Sequence, residues 1–155
     1  MTGLRTLSAA MALGAAAVSL PAAANASYEA AFLDAFRNAC VPERRSYRRT
    51  LANVRALGWH PAAKSENDEL RAVVELANKA MAEDAGPDWL LEMSAYEQVV
   101  AGRLNYLVVS RIVAPRIVRL VSCGLYDFDA TDAIDPQPVS DFLGIPIERS
   151  RRDKG

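Results

Sequence analysis

The sequence predicts an α+β fold in which about three N-terminal helices pack on one face of a small antiparallel sheet of three or more strands. Three observations lead to this prediction. Apolar residues recur at helical spacing in the first half of the chain. Residues 89–128 are instead rich in Val, Ile, Leu and Tyr, which favour strands. Only short breaks separate these apolar runs, and strands so close in sequence pair as an antiparallel meander.

The first 26 residues have the pattern of a secretory signal peptide. Arg5 is their only charge, an apolar run follows, and Ala24-Asn25-Ala26 supplies the small residues of a cleavage site. We expect cleavage after Ala26. An uncleaved anchor is the alternative, but the apolar run is shorter and richer in alanine than a spanning helix of about 20 residues.

Removal of this leader would leave residues 27–155, enough for one domain with one core. They hold 17 of the 18 basic residues and all 19 acidic ones, a net charge of −2, which gives no reason to expect nucleic-acid binding. No stretch after the leader is long and apolar enough to predict a membrane span. We therefore expect a leader at 1–26, a single α+β domain at 27–146 and a charged, disordered tail at 147–155.

Cys40 and Cys123 are the only cysteines, and both follow the predicted cleavage site. Two such thiols pair in an oxidising compartment, so we predict a disulfide that ties the helical half to the sheet. A redox-active pair would have C-x-x-C spacing, which is absent. A zinc site needs three or four ligands, and the chain offers two cysteines and one histidine. We predict no cofactor.

Three helices are predicted before the sheet. Ser27 is a suitable N-cap for the first, which runs to about Ala39. Pro42 suits the first turn of the second, which runs to about Leu57 and ends before Gly58. A third begins near Ser65 or Asn67 and ends before Gly86-Pro87. The apolar stripe of the first helix consists of Tyr28, Phe32, Phe36 and Cys40.

Three strands are predicted near residues 89–100, 104–113 and 117–128. Ala101-Gly102-Arg103 separates the first two and Ala114-Pro115-Arg116 the next two. Because the apolar runs are nearly continuous, a helix remains the alternative for any one of them. A short helix is predicted around 138–143.

Four arginines are the candidate binding residues: Arg44, Arg45, Arg48 and Arg49. On the predicted second helix they lie together, opposite the apolar residues. Such a face is commonly a solvated surface. It could also pair with the acidic residues that follow the last predicted strand. A third possibility is that it docks an external anion, such as a phosphate-bearing envelope polymer or an acidic partner, because a guanidinium group can donate two parallel hydrogen bonds to a phosphate group.

An acidic run follows the last predicted strand and consists of Asp127, Asp129, Asp132, Asp135 and Asp141. Closely spaced carboxylates can hold Ca²⁺. The spacing departs from an EF-hand loop, which also needs a glycine and a final glutamate. A solvated loop that caps the short helix is the simpler interpretation.

His60, in Gly58-Trp59-His60-Pro61, is the one histidine and could act as a general base. No nucleophile motif such as G-x-S-x-G accompanies it. We therefore expect a small exported protein, periplasmic or secreted, that is stapled by a disulfide and binds a partner without catalysis of its own. The alternatives are a small hydrolase built around His60 and the acidic run, and a calcium-stabilised module using Asp127, Asp129 and Asp132.

Overall fold

The computed structural model describes residues 22–84, 88–114, 119–131, 135–144 and 146. These form helices and an antiparallel sheet, which confirms the predicted α+β class. In chain order the elements are α1 (Ala22–Cys40), α2 (Tyr47–Ala56), β1 (His60–Pro61), α3 (Asp68–Asp84), β2 (Leu90–Val100), β3 (Arg103–Val113), β4 (Arg119–Tyr126) and α4 (Pro136–Leu143).

The sheet has four strands in the order β1-β2-β3-β4, and every neighbouring pair is antiparallel. A two-residue turn joins β2 to β3, because Val100 pairs directly with Arg103. Both turn residues have positive φ, 46° at Ala101 and 86° at Gly102. Such a turn matches the right-handed twist of the flanking strands. Gly102 takes this conformation freely, whereas an alanine seldom does.

One face of the sheet carries the main core. Tyr96, Leu107 and Val109 point to this face and are buried against α1 and α2. The helices contribute Ala39, Cys40 and Val54, and Trp59 closes the end of α2. Successive strand residues alternate between faces, so the neighbours of these three residues point the other way.

The other face carries a smaller core around Leu70, near the start of α3. Leu70 is fully buried against Ala95, Tyr106 and Val108. Thus α1 and α2 share one face, as expected, while α3 begins on the opposite one. The chain crosses to this opposite face at the edge of the sheet, where β1 pairs with β2 and the Ala62 amide donates to the Ala95 carbonyl, 3.0 Å away.

Two helix starts differ from the prediction. The second helix begins at Tyr47 rather than at Pro42, because the Ser46 side chain accepts a hydrogen bond from the Arg49 amide and caps it there. The first begins at Ala22, so Ser27 lies inside α1 in the full chain and does not cap it. Residues 1–21 of the predicted leader and the predicted tail at 147–155 lie outside the described residues. Among the helices that are described, none combines the length and apolar character needed to cross a membrane.

Candidate functional site

The predicted disulfide is present and fixes the position of the arginine segment. Cys40 is the last residue of α1, and Cys123 lies in β4 opposite Val109. Their sulfurs are bonded and their Cα atoms are 5.6 Å apart. The segment that carries the four arginines follows Cys40 directly, so the staple holds the start of this segment against β4.

All four candidate arginines are exposed at the start of α2, and we call them the arginine patch (Arg44, Arg45, Arg48 and Arg49). Their placement differs from the prediction in one respect. Arg44 and Arg45 lie in the turn before α2, because the helix is capped at Ser46. Arg48 and Arg49 lie in its first turn. The four charges therefore surround a helix N-terminus instead of lining one helix face.

This placement concentrates positive charge. The N-terminus of a helix carries the positive end of its dipole, where acidic residues are favourable and basic ones are not. The first turn of α2 contains no acidic residue. Arg49 forms an ion pair with Glu43 at 2.8 Å. Among the described residues, the guanidinium groups of Arg44, Arg45 and Arg48 have no ion-pair partner. The patch thus keeps an excess of positive charge.

A cleft of about 420 Å³ opens beside the arginine patch, between α2 and the end of the sheet. Arg45 and Arg48 stand on one side of it and Arg111 on the other. The remaining walls are largely apolar and include Ile112 and Val121. The cleft can therefore receive an anionic group with apolar atoms next to it.

Arg111 is the one arginine of this cleft that is already neutralised. Its Nε and Nη2 atoms donate to the two carboxylate oxygens of Glu92, at 2.7 and 2.6 Å. These hydrogen bonds hold the pKa of Glu92 below its usual value and raise that of Arg111. The guanidinium also lies over the Tyr47 ring, 5.2 Å from its centroid. Among the described residues that line the cleft, the free positive charge therefore belongs to Arg45 and Arg48.

The acidic run does not neutralise the arginine patch through Asp127. The Asp127 side chain is only 2% exposed and accepts a hydrogen bond from Arg103 Nη1 at 3.0 Å. The Tyr28 hydroxyl donates to the same oxygen, Asp127 Oδ2, at 2.5 Å, and it also lies within hydrogen-bond distance of Asn105 Oδ1, at 3.0 Å. Six residues of extended chain separate Val121, at the cleft, from Asp127, or roughly 20 Å.

The other acidic residues have local roles. Asp135 caps α4 by accepting from the Gln137 amide at 2.9 Å, and Asp141 accepts from the Gln137 side chain at 2.7 Å. Asp129 is exposed, and Asp132 lies outside the described residues. Within the part of the chain that the structure describes, no three His, Cys, Asp or Glu side chains form a group that could hold a metal ion.

His60 lies far from the acidic run. It is exposed in β1 and pairs with Glu97 of β2. The same row of the sheet continues through Tyr106 to Tyr126, the residue before Asp127. Three strand spacings, about 14 Å, therefore separate His60 from the start of the acidic run. The two parts of the alternative hydrolase site lie toward opposite edges of the sheet.

A large apolar groove, absent from the sequence prediction, runs between α1, the outer edge of β4 and α4. Its volume is about 710 Å³. Phe32 and Phe36 line it, although the sequence pattern assigned both to the buried stripe of α1. They remain partly exposed because β4 is the last strand of the sheet, so no further strand covers this side of the helix.

Comparisons of the chain with protein-family models, with curated proteins and with solved structures find no match.

Proposed function

We propose that this protein is exported and acts as a non-catalytic binding protein whose arginine patch contacts an anionic partner. One observation carries the proposal. Arg44, Arg45 and Arg48 are exposed around a helix N-terminus and have no ion-pair partner among the described residues. A cluster of unpaired guanidinium groups at the positive end of a helix dipole attracts anions.

Export is supported by two features that are independent of each other. The first 26 residues have the charge and apolar pattern of a cleavable leader. The disulfide agrees with an oxidising compartment such as the periplasm or the extracellular space. We therefore place the anionic partner in the cell envelope or outside the cell.

A phosphate-bearing polymer or an acidic protein surface suits the patch best. Guanidinium groups form forked hydrogen bonds with phosphate and carboxylate oxygens, and they stay charged at any physiological pH. Two of the guanidinium groups, those of Arg45 and Arg48, border a cleft, so an anionic group of the partner that enters the cleft can contact both of them. The hydrolase alternative would need His60 and the acidic run in one site, and the distance between them therefore favours a binding role.

The test is the binding of inorganic polyphosphate to residues 27–155, measured by calorimetry at low salt. We expect saturable binding that weakens as salt rises, because exposed charges are screened. The variant Arg44→Gln/Arg45→Gln/Arg48→Gln/Arg49→Gln should bind at least about tenfold more weakly, since each charge-assisted contact contributes about 1 kcal/mol or more.

The matched control removes four other exposed positive charges, with Arg55, Lys64, Arg71 and Lys79 changed to Gln. It has the same net charge as the first variant and should keep most of the affinity. Equal loss in both variants would show that net charge alone attracts the polymer. Loss of thermal stability in the patch variant without loss of binding would give the patch an intramolecular role. Either result would contradict the proposal.

A further inference from the structure

The groove between α1, β4 and α4 has the size and lining of a small-molecule site. Its volume of about 710 Å³ falls in the range of about 300–1,000 Å³ that is typical of ligand pockets. Its walls are predominantly apolar, as in such pockets. The main apolar side chains are Phe32, Leu33, Phe36, Leu125, Val139 and Phe142.

The groove continues past Phe36 and Phe142 into a second hollow of about 390 Å³, since both residues line both spaces. The second hollow reaches the disulfide, Ser122 and Arg44. From Glu29 to Cys40 the wall formed by α1 extends for about 17 Å. The combined space therefore follows α1 over a length that suits an extended hydrocarbon chain.

A glycine in the edge strand forms part of the groove floor. A Cβ atom at Gly124 would lie 2.9 Å from the Tyr126 hydroxyl oxygen and 3.0 Å from its ring. The absence of a side chain at Gly124 lets the Tyr126 ring fold back over the strand, on the sheet face that carries Tyr106 and Val108. Glycine weakens a strand and often marks a place where another molecule approaches the backbone.

The charges change sign along the groove. Glu29 and Asp34 lie at the first hollow, where Arg37 stacks on Phe142 at 4.6 Å and contacts Asp34 at 3.9 Å. Arg44, at the second hollow, has no ion-pair partner among the described residues. Because the acids and the unpaired arginine lie in different hollows, an anionic head is favoured at the Arg44 end.

We infer that this groove binds an anionic amphipathic molecule, such as a long-chain carboxylate, with its chain along Phe32, Phe36 and Phe142 and its head beside Arg44 and Ser122. This ligand site goes beyond the proposed docking of an anionic partner on the arginine patch. The apolar chain of the ligand would move out of water and pack against the aromatic walls. Burial of apolar area is the main source of such affinity. Arg44 would form a charge-assisted hydrogen bond with the carboxylate.

The experiment measures the binding of dodecanoate to residues 27–155 by calorimetry, below the concentration at which dodecanoate forms micelles. We expect saturable binding of one molecule. Dodecyltrimethylammonium has the same chain and the opposite charge, and it should bind at least about tenfold more weakly because it loses the contact with Arg44. Equal binding of the two probes, or no saturable binding of dodecanoate, would overturn the inference.

Two pairs of variants locate the ligand. Val139→Trp should fill the groove and remove most of the binding, whereas Val73→Trp, on α3, should not. Arg44→Glu should weaken dodecanoate binding about tenfold. Arg48→Glu makes the same charge change outside the groove lining and should leave dodecanoate binding nearly unchanged. Leu33→Trp serves as a second groove-filling variant if Val139→Trp does not fold.

The outcomes separate this inference from the proposed function. If Arg48→Glu weakens dodecanoate binding as much as Arg44→Glu, or if both groove-filling variants bind normally, the groove is not the site. Binding of polyphosphate without binding of dodecanoate would leave the arginine patch as an anion site and would overturn the groove site alone. Val139→Trp should keep full affinity for polyphosphate.

Discussion

Asp127, directly after β4, has a buried side chain, only 2% of which is exposed. Its carboxylate contacts Tyr28 of α1 and Arg103 of β3, and Arg103 also lies over the Tyr28 ring at 4.5 Å. Asn105 completes this polar cluster (Tyr28, Arg103, Asn105 and Asp127). Each partner comes from a distant part of the chain, so no local pattern could predict it. The cluster joins the first half of α1 to the end of the sheet.

We expect Tyr28→Phe to lower the free energy of unfolding by about 1–3 kcal/mol, because it removes a donor from two buried acceptors. Urea denaturation at neutral pH measures this change. Tyr47→Phe is the matched control, since it removes a single contact with the Ser94 hydroxyl at 2.9 Å in a less buried position. The control should lose less. Equal losses of unfolding free energy would show that the Tyr28 hydroxyl stabilises the fold no more than the Tyr47 hydroxyl does.

The pH dependence of the stability of the fold follows from Tyr28. Burial first, and then the hydrogen bond to Asp127, raise the pKa of Tyr28 to about 12 in the folded protein, from an ordinary value of 10.0. The folded state therefore holds this proton more tightly than the unfolded state does. The resulting stabilisation is complete below pH 10 and is lost as the pH rises through about 12.

A spectrophotometric titration of tyrosinate tests this directly. The wild-type protein should show a late ionisation step near pH 12, accompanied by loss of stability. Tyr28→Phe should lack the contribution of that residue to the step. Superimposable titration curves for the two proteins would contradict the assignment.

At the scale of elements, the sequence predicted the three long strands closely, with 89–100 expected and Leu90–Val100 found for the first. The break at Ala101-Gly102 sets the limit between the first two strands, because these turn residues interrupt the apolar run. The two-residue strand β1 was not predicted. It is too short to show a periodic pattern, and it exists only because the edge of β2 pairs with it.

The turn between β2 and β3 offers a stabilising substitution. Ala101 has a φ of 46°, a conformation that costs a residue with a Cβ atom about 1 kcal/mol or more. Asparagine tolerates this conformation and is preferred in such turns. Ala101→Asn should therefore raise the free energy of unfolding by about 0.5–1 kcal/mol, as measured by urea denaturation. Ala101→Val, which is β-branched, should lower it. A destabilising effect of Ala101→Asn would contradict this description of the turn.

At the scale of the whole molecule, the disulfide joins the end of α1 to the edge strand of the sheet, across 83 residues of sequence. The pairing could be predicted because the chain has only two cysteines. The groove could not, since it depends on α4 lying beside α1, and their residues Phe142 and Phe36 are more than 100 positions apart. The exposure of the arginines was predicted from the helical pattern, while their arrangement depended on the cap at Ser46.

Removal of the disulfide should destabilise the fold strongly. The bond closes a loop with a sequence separation of 83, for which chain entropy gives about 4.5 kcal/mol. We expect Cys40→Ala/Cys123→Ala to lose a comparable amount in guanidinium denaturation. The wild-type protein under reducing conditions is the control and should lose a similar amount. An unchanged midpoint in both would mean that the packing of α1 on β4 holds without the bond.

The measurement that tests the account most directly is the intact mass of the protein recovered from the expressing cell, with and without reduction and alkylation. A binding protein that works outside the cytoplasm should start at Ser27 and should take up two alkyl groups only after reduction. A full-length mass would contradict export. Two thiols that react before reduction would contradict the covalent link between α1 and β4, and with it the oxidising compartment. Cys40 would then be a free thiol next to the arginine patch, and the proposed function would fail.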